Sequence, residues 1–154
     1  MLFTGDIFVS YSRTDIAAAR TLYEELKELG AGIVWFDKDQ IEGGDKYRQK
    51  ITEAISRCKL FLPLLSASTE SRAEGFFRKE WGAAEERDKG IQGRKFIIPV
   101  VVDKEWNGDL SHYKLFPDRF SDCNFLHAPE GHLSDQLRST LINELRDLRR
   151  GGVS

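Results

Sequence analysis

The sequence predicts an α/β domain in which a central five-stranded parallel sheet is covered by helices on both faces. Three observations lead there. Short, continuous apolar runs recur at Ile7 to Val9, Ile33 to Phe36, Leu60 to Leu65 and Phe96 to Val102. Strands buried on both faces read this way, whereas a sheet with one wet face alternates apolar and polar residues. Longer segments of helical period separate the runs. No repeat or low-complexity tract interrupts the alternation, so consecutive strands are joined by right-handed crossover helices.

The first run leads into Ser10-Tyr11-Ser12-Arg13-Thr14-Asp15, a polar turn in which Thr14 or Asp15 can cap the next helix. There Ile16, Ala19, Leu22, Tyr23, Leu26 and Leu29 repeat at helical spacing, and Gly30 and Gly32 stop the helix. The second strand, Ile33 to Phe36, opens onto a long exposed loop, Asp37 to Gly44. Strand alternation sends Trp35 and Phe36 to opposite faces, so at least one belongs to the core. Asp45 is placed to cap a helix burying Tyr47, Ile51, Ala54, Ile55 and Cys58.

The third strand, Leu60 to Leu65, ends at Ser66, and a helix carrying Phe76, Phe77, Glu80, Trp81 and Ala84 follows before the fourth run. Pro63 and Pro99 lie inside the third and fourth runs. Proline has no N–H for the ladder, so each is expected at a strand start or at a locally unpaired position. Residues 103 to 132 show no period, although Asn124-Phe125-Leu126 can form a short last strand. From Leu133 or Ser134 a packing helix presents Leu137, Leu141, Leu145 and Leu148 as one stripe.

Five strands joined in this way fit a flavodoxin-like three-layer sandwich of order 2-1-3-4-5, which reverses direction between strands 1 and 3. Ligands bind such folds at that reversal, outside the carboxyl ends of the strands. The segments reaching it are Ser10 to Asp15 and the stretch from Ser66 onward.

At 154 residues the chain is the size of one domain, long enough to bury roughly two thirds of its unfolded surface. Residues 1–150 are expected to form the domain, with 151–154 a flexible tail or the start of a linker, so a fused sensor domain can follow. With 23 basic against 25 acidic residues, the formal charge of -2 gives no reason to expect direct nucleic-acid binding. The two cysteines, Cys58 and Cys123, have neither disulfide-framework nor zinc-site spacing, and His112, His127 and His132 are scattered, so no metal is expected. A reducing, cytoplasmic setting fits best. The apolar runs fall far short of the ~20 residues of a membrane span. Glu42-Gly43-Gly44 lacks the Gly-Lys-Ser/Thr of a phosphate-cradling loop.

Asp6-Ile7-Phe8-Val9-Ser10-Tyr11-Ser12 followed by Asp15 resembles the first signature box of Toll/interleukin-1 receptor (TIR) domains. Trp35-Phe36-Asp37 through Ile41-Glu42-Gly43-Gly44-Asp45 resembles the family's second strand and exposed BB loop. Leu62 to Ser66, followed by Lys79-Glu80-Trp81, resembles its third strand and the helix bearing the catalytic acid. The resemblance covers about residues 6 to 103. It implies one of two functions: cleavage of NAD+ at the nicotinamide–ribose bond, or non-catalytic signalling through TIR–TIR assembly. Enzymes of the family carry the acid that Glu80 supplies here, use NAD+ as substrate without a cofactor, self-associate, and often serve immune or antiphage defence.

Cleaving that bond passes through an oxocarbenium-like state, and the cationic nicotinamide leaves neutral, so no general acid is needed. One carboxylate, Glu80, can stabilise the developing charge. Residue pattern alone favours Glu80 as a helical acid on a solvated face, paired with Arg78 or Arg87; its position after the third strand, with the family resemblance, favours the functional role. Arg13 can meet the pyrophosphate through planar paired donors, with Tyr11 and Ser12 hydrogen-bonding or stacking nearby; the alternative is a plain turn with a surface arginine. Asp37 and Glu42 are ligand or protomer contacts, or a solvated acidic loop. Ser66 is a substrate-edge hydroxyl or a helix-entry turn. Phe76 stands where family enzymes commonly have tryptophan, keeping a stacking face without the N–H.

Overall fold

The computed structural model describes residues 6–34 and 45–151. Strands β1 (Ile7–Ser10), β2 (Ile33–Val34), β3 (Leu60–Leu65), β4 (Val100–Val101) and β5 (Leu126–His127) lie in the order β2-β1-β3-β4-β5. Every pairing is parallel. Helices α1 (Ile16–Glu28), α2 (Asp45–Arg57), α3 (Ala67–Ser71), α4 (Phe76–Asp88) and α5 (Asp135–Gly151) make the connections and the outer layers. Trp35, Phe36, Asp37 and Glu42 lie outside the described residues.

The sheet divides the core in two because successive side chains of a strand point to opposite faces. Ile7 and Val9 of β1 pack with Leu22 and Leu26 of α1 and Leu137, Leu141 and Leu145 of α5. Phe8, between them, faces Ile51 and Ile55 of α2, Phe77 and Trp81 of α4, and Tyr113 and Phe120 of the segment before β5. Continuous apolar runs are the outcome, since neither face of these strands meets water.

The fourth run forms much less strand than its hydrophobicity predicts. Only Val100–Val101 pair regularly, with one isolated bridge between Phe61 and Ile97. The two prolines explain the break. In a parallel strand, the N–H and C=O of one residue face one neighbour and those of the next face the other. Phe61 turns to the β4 side, giving its N–H to Phe96 O (2.7 Å) and taking Ile98 N–H (2.9 Å). Pro63, two residues on, faces the same way and has no N–H to give, and the ladder resumes only at Leu64–Val100. Pro99 sits immediately before β4, where only its carbonyl is used, accepting from Leu126 N at 3.0 Å. That bond, with Ala128 N to Val101 O at 2.9 Å, sets β5 at Leu126–His127, displaced from the Asn124 to Leu126 stretch.

Two further helices are started by serine caps, and the first of them departs from the sequence pattern. Helix α3 is a separate turn of helix, started by Ser66, whose hydroxyl and backbone form a reciprocal capping box with Thr69. Helix α5 begins at Asp135, with Ser134 Oγ accepting from Leu137 N at 3.2 Å, and runs to Gly151.

Helices α2 and α4 are tied by Arg87, which donates to Ile55 O (2.7 Å) and Cys58 O (2.5 Å) while its guanidinium lies 4.3 Å from the Phe96 ring centroid. It thereby satisfies carbonyls left open at the end of α2. Both cysteines are free thiols, and burial pushes each up to about 11, so they stay protonated packing groups. Among the described residues no helix is long and apolar enough to cross a membrane.

Gly30 ends α1 in the left-handed region (φ 82°), and Gly131 adopts the same region (φ 93°) where the chain crosses α1. The space around them differs. A Cβ on Gly30 would meet nothing within 4 Å, but one on Gly131 would lie 2.0 Å from Ala18 O. Gly30→Ala should therefore cost about 1–2 kcal/mol for the backbone alone. Gly131→Ala adds a clash with helix backbone and should cost roughly 2–5 kcal/mol. Urea unfolding of the two variants checks the ordering; equal losses would contradict it.

Candidate functional site

On α4 the residues Phe77, Glu80, Trp81 and Ala84 recur at the spacing of one helical face, and that face is turned to the sheet. Glu80 is thus an acid on a core stripe, 1% exposed. Ser10, the last residue of β1 and fully buried, donates its hydroxyl to Glu80 Oε1 at 2.6 Å. The solvated-face reading of Glu80 fails on this geometry. Arg78 and Arg87, its suggested partners there, direct their guanidinium groups to backbone carbonyls.

Beside this pair, a cleft of about 590 Å³ opens at the carboxyl end of β1. Tyr11, Arg13, Arg48, Phe76 and the 72–75 loop line it, together with Phe77, Arg78 and Lys79. Among the described residues its charged lining is Arg13, Arg48, Arg72, Arg78 and Lys79 against Glu74, a set that attracts anions. The Arg48 guanidinium lies 5.8 Å from the Phe76 ring centroid, bringing α2 and α4 together at the cleft.

The 72–75 loop is held by Arg78. Its guanidinium donates to Arg72 O (2.9 Å from Nη2), to Thr69 O and to Leu115 O, and lies 4.6 Å and 5.1 Å from the Phe77 and Trp81 ring centroids. Glu70 secures the same region from the other side, accepting from Lys114 N (2.7 Å) and Leu115 N (2.9 Å). Arg72 reaches back across the cleft, donating to Ser12 Oγ at 2.8 Å and Thr14 Oγ1 at 3.3 Å.

The predicted site residues divide accordingly. Tyr11, Arg13 and Phe76 line the cleft, and Ser12 lies buried beneath it as the acceptor for Arg72. Glu80 stands behind the wall, one turn along α4 from Phe76, and is absent from the lining. Ser66 takes the helix-entry role: it caps α3 and donates to Asp15 Oδ2 at 2.6 Å. Asp37 and Glu42 lie outside the described residues. Sequence reasoning missed Arg48, Arg72, Arg78 and Lys79. Two arginines flanking Gly75 in a polar stretch were the available signal, but only the fold shows which one faces Ser12.

Asp15 leaves the N–H groups at the start of α1 without a side-chain cap and serves Ser66 instead. Burial raises its carboxyl above the usual range, and Asp103 adds to the rise, while the Ser66 hydrogen bond and Arg72 oppose it. Asp103 accepts from Ala67 N (2.9 Å) and from the Tyr113 hydroxyl (2.6 Å). Burial first, and then that bond, push the phenol above its ordinary value. No cluster of His, Cys, Asp or Glu suited to a metal ion occurs among the described residues.

A model of the TIR domain matches residues 7–129. The chain is 30% identical over 142 residues to the 2' cyclic ADP-D-ribose synthase AbTIR of Acinetobacter baumannii, covering 90% of this chain and 49% of that protein. It is 28% identical over 102 residues to the NAD(+) hydrolase SARM1 of Danio rerio, covering 66% of this chain and 14% of that one. The chain therefore spans half or less of each of these relatives. The TIR domain of the Toll-related receptor TRR-2 from Hydra magnipapillata shares the fold at 15% identity, with a TM-score of 0.54 over 96% of this chain and 98% of that one.

The raised Asp15 carboxyl has a defined sign in stability. A folded-state pKa above the unfolded value of 3.8 means that the folded protein holds the proton more tightly. The resulting stabilisation is present below 3.8 and is lost as pH rises through the folded value, leaving Asp15 a burden at neutral pH. Asp15→Asn keeps an acceptor for Ser66 and removes the charge. Its melting temperature should exceed that of the wild type at neutral pH, with the gain shrinking in acid. A gain that grows in acid would contradict the assignment.

Proposed function

The chain belongs to the TIR domain family, and from that premise we propose that it cleaves NAD+ to nicotinamide and ADP-ribose, or to a cyclic ADP-ribose. Self-assembly in a cytoplasmic immune or antiphage defence response would activate it. The observation carrying this reading is the buried Ser10–Glu80 pair beside a cationic cleft at the point where the strand order reverses. The names of its relatives, an NAD(+) hydrolase and a cyclic ADP-ribose synthase, supply the substrate.

In this mechanism Arg13 and Arg72 meet the diphosphate, where a guanidinium offers paired donors to phosphoryl oxygens. Phe76 and Tyr11 border the planar rings. The bond between ribose C1' and the nicotinamide nitrogen breaks with its electron pair going to the pyridinium ring, which leaves neutral. Glu80 stabilises the positive charge left on the sugar, an interaction that strengthens as the bond breaks and so lowers the barrier. Water then bonds to C1' and loses a proton, giving ADP-ribose; an internal nucleophile of ADP-ribose in its place closes the ring. Ser10 holds Glu80 in position. Asp37 and Glu42 are assigned to the substrate's outer edge.

A second reading, a non-catalytic module that recruits other TIR domains, is favoured by one observation: Glu80 is 1% exposed and does not reach the cleft lining. Catalysis requires the wall between them to open.

Nicotinamide release at high protein concentration separates the two. For the enzyme, Glu80→Ala should lower kcat by about 10²–10³-fold or more, the scale of losing one preorganised transition-state contact, while Arg13→Ala should raise KM roughly tenfold, about 1.4 kcal/mol of binding. Equal turnover by wild type and Glu80→Ala would remove the catalytic role.

A further inference from the structure

Phe77 belongs both to the wall of the cleft and to the face of α4 that carries Glu80. Of the α4 residues lining the cleft it alone is buried, at 2% exposure, and Glu80 follows it by one helical turn. Three neighbours hold its ring. A Cβ on Gly75 would lie 2.7 Å from Cε1 and 2.9 Å from Cδ1 of that ring, so the ring is seated on the bare backbone of the 72–75 loop. The Arg78 guanidinium lies 4.6 Å from the ring centroid, and Trp81 meets the ring edge-on at 5.1 Å.

Two of these three contacts depend on the 72–75 loop. Gly75 is part of it, and Arg78 is aligned by donating to Arg72 O from Nη2 (2.9 Å) and Nε (3.3 Å). The loop is in turn tied across the cleft by the Arg72 side chain, whose Nη1 donates to Ser12 Oγ at 2.8 Å and to Thr14 Oγ1 at 3.3 Å. Both acceptors are neutral hydroxyls. A phosphoryl group offers a guanidinium two parallel acceptors and a full opposite charge, which a pair of hydroxyls does not match.

We propose that Arg72 couples diphosphate binding in the cleft to the exposure of Glu80. Without ligand its guanidinium rests on Ser12 and Thr14. A diphosphate entering the cleft draws the guanidinium off them, and the 72–75 loop shifts with it. The Phe77 ring, released from Gly75 and Arg78, then turns away from Glu80. The closed and open states differ in what Arg72 contacts, so the ligand has the differential affinity that a population shift requires. The consequence is specificity: a nicotinamide N-glycoside without the diphosphate, such as nicotinamide riboside, leaves the wall shut. That consequence rests on the NAD+ reading, whereas the movement of the ring does not.

Fluorine NMR follows the ring without turnover, with Phe77 labelled as 4-fluorophenylalanine and inorganic pyrophosphate as the ligand. The free protein should give one resonance, that of a buried ring. Pyrophosphate should add a second, solvent-exposed resonance in a saturable way, and Arg72→Gln should abolish the response. Arg72 is half-buried and on a loop, so Arg72→Gln is expected to fold, and circular dichroism checks it. Arg78→Lys keeps the charge and loses the planar fork, so it should show the second resonance with no ligand present. Nicotinamide release supplies an independent arm. Arg72→Ala should lower kcat for NAD+ about ten- to a hundredfold, the scale of one hydrogen bond to a charged group. Adding Phe77→Leu to that variant should recover most of the loss by cutting the wall back. A ring that ignores pyrophosphate, an equal response in Arg72→Gln, or an Arg72→Ala effect confined to KM would each overturn the coupling. A ring that responds in a protein that releases no nicotinamide supports the coupling and removes the NAD+ reading instead.

Discussion

The carboxylate of Glu80 is buried at the end of β1, and a carboxylate out of water is tolerated only where hydrogen-bond donors meet it. The Ser10 hydroxyl does so at 2.6 Å, from the strand at the centre of the order reversal. This bond and the apolar stripe of α4 agree in how the helix is turned about its own axis. With Glu80 facing β1, Phe77, Trp81 and Ala84 face the core, while Phe76 and Lys79 fall on the side that becomes the cleft. The 72–75 loop and Arg72 follow, because α4 starts immediately after them.

The basic side chains around α4 have divided duties. Arg78 and Arg87 act as struts, their guanidinium groups filled by backbone carbonyls and stacked on aromatic rings. Each replaces several separate caps with one planar donor array. Arg72 is intermediate, tied to Ser12 and Thr14 while still lining the cleft. Arg13, Arg48 and Lys79 remain exposed on the cleft side and carry its positive field.

Much of the fold was legible in the sequence because it depends on periodicity. The runs Ile7 to Val9 and Leu60 to Leu65 and the stripe Leu137, Leu141, Leu145 specify burial by spacing alone. What escaped depends on pairing across distance. Nothing near Glu80 announces Ser10, seventy positions away, and nothing near Arg72 announces Ser12. Asp15 read as a helix cap by local rules, but Ser66 claimed it from the next strand. Helix α3 was within reach of a local rule, since Ser66 and Thr69 stand at capping-box spacing. The short fourth strand was a matter of competition: the apolar run Phe96 to Val102 favours extension, and two prolines remove the donors that extension requires.

The gap beside Pro63 also gives the domain a seam. On one side β2, β1 and β3 share a continuous ladder; on the other, β4 and β5 share their own, and the two are joined through the Phe61–Ile97 bridge and the pairs after Pro63. Backbone bonds from Phe61 N to Phe96 O, Ile98 N to Phe61 O and Val102 N to Leu65 O cross this line on either side of Pro63. Ser10 lies on the first side, and the 113–120 segment that braces α4 leads into the second. The support of α4 is thus shared: its bond to Ser10 belongs to the β1–β3 half, and its packing against Tyr113 and Phe120 belongs to the segment that leads into β5.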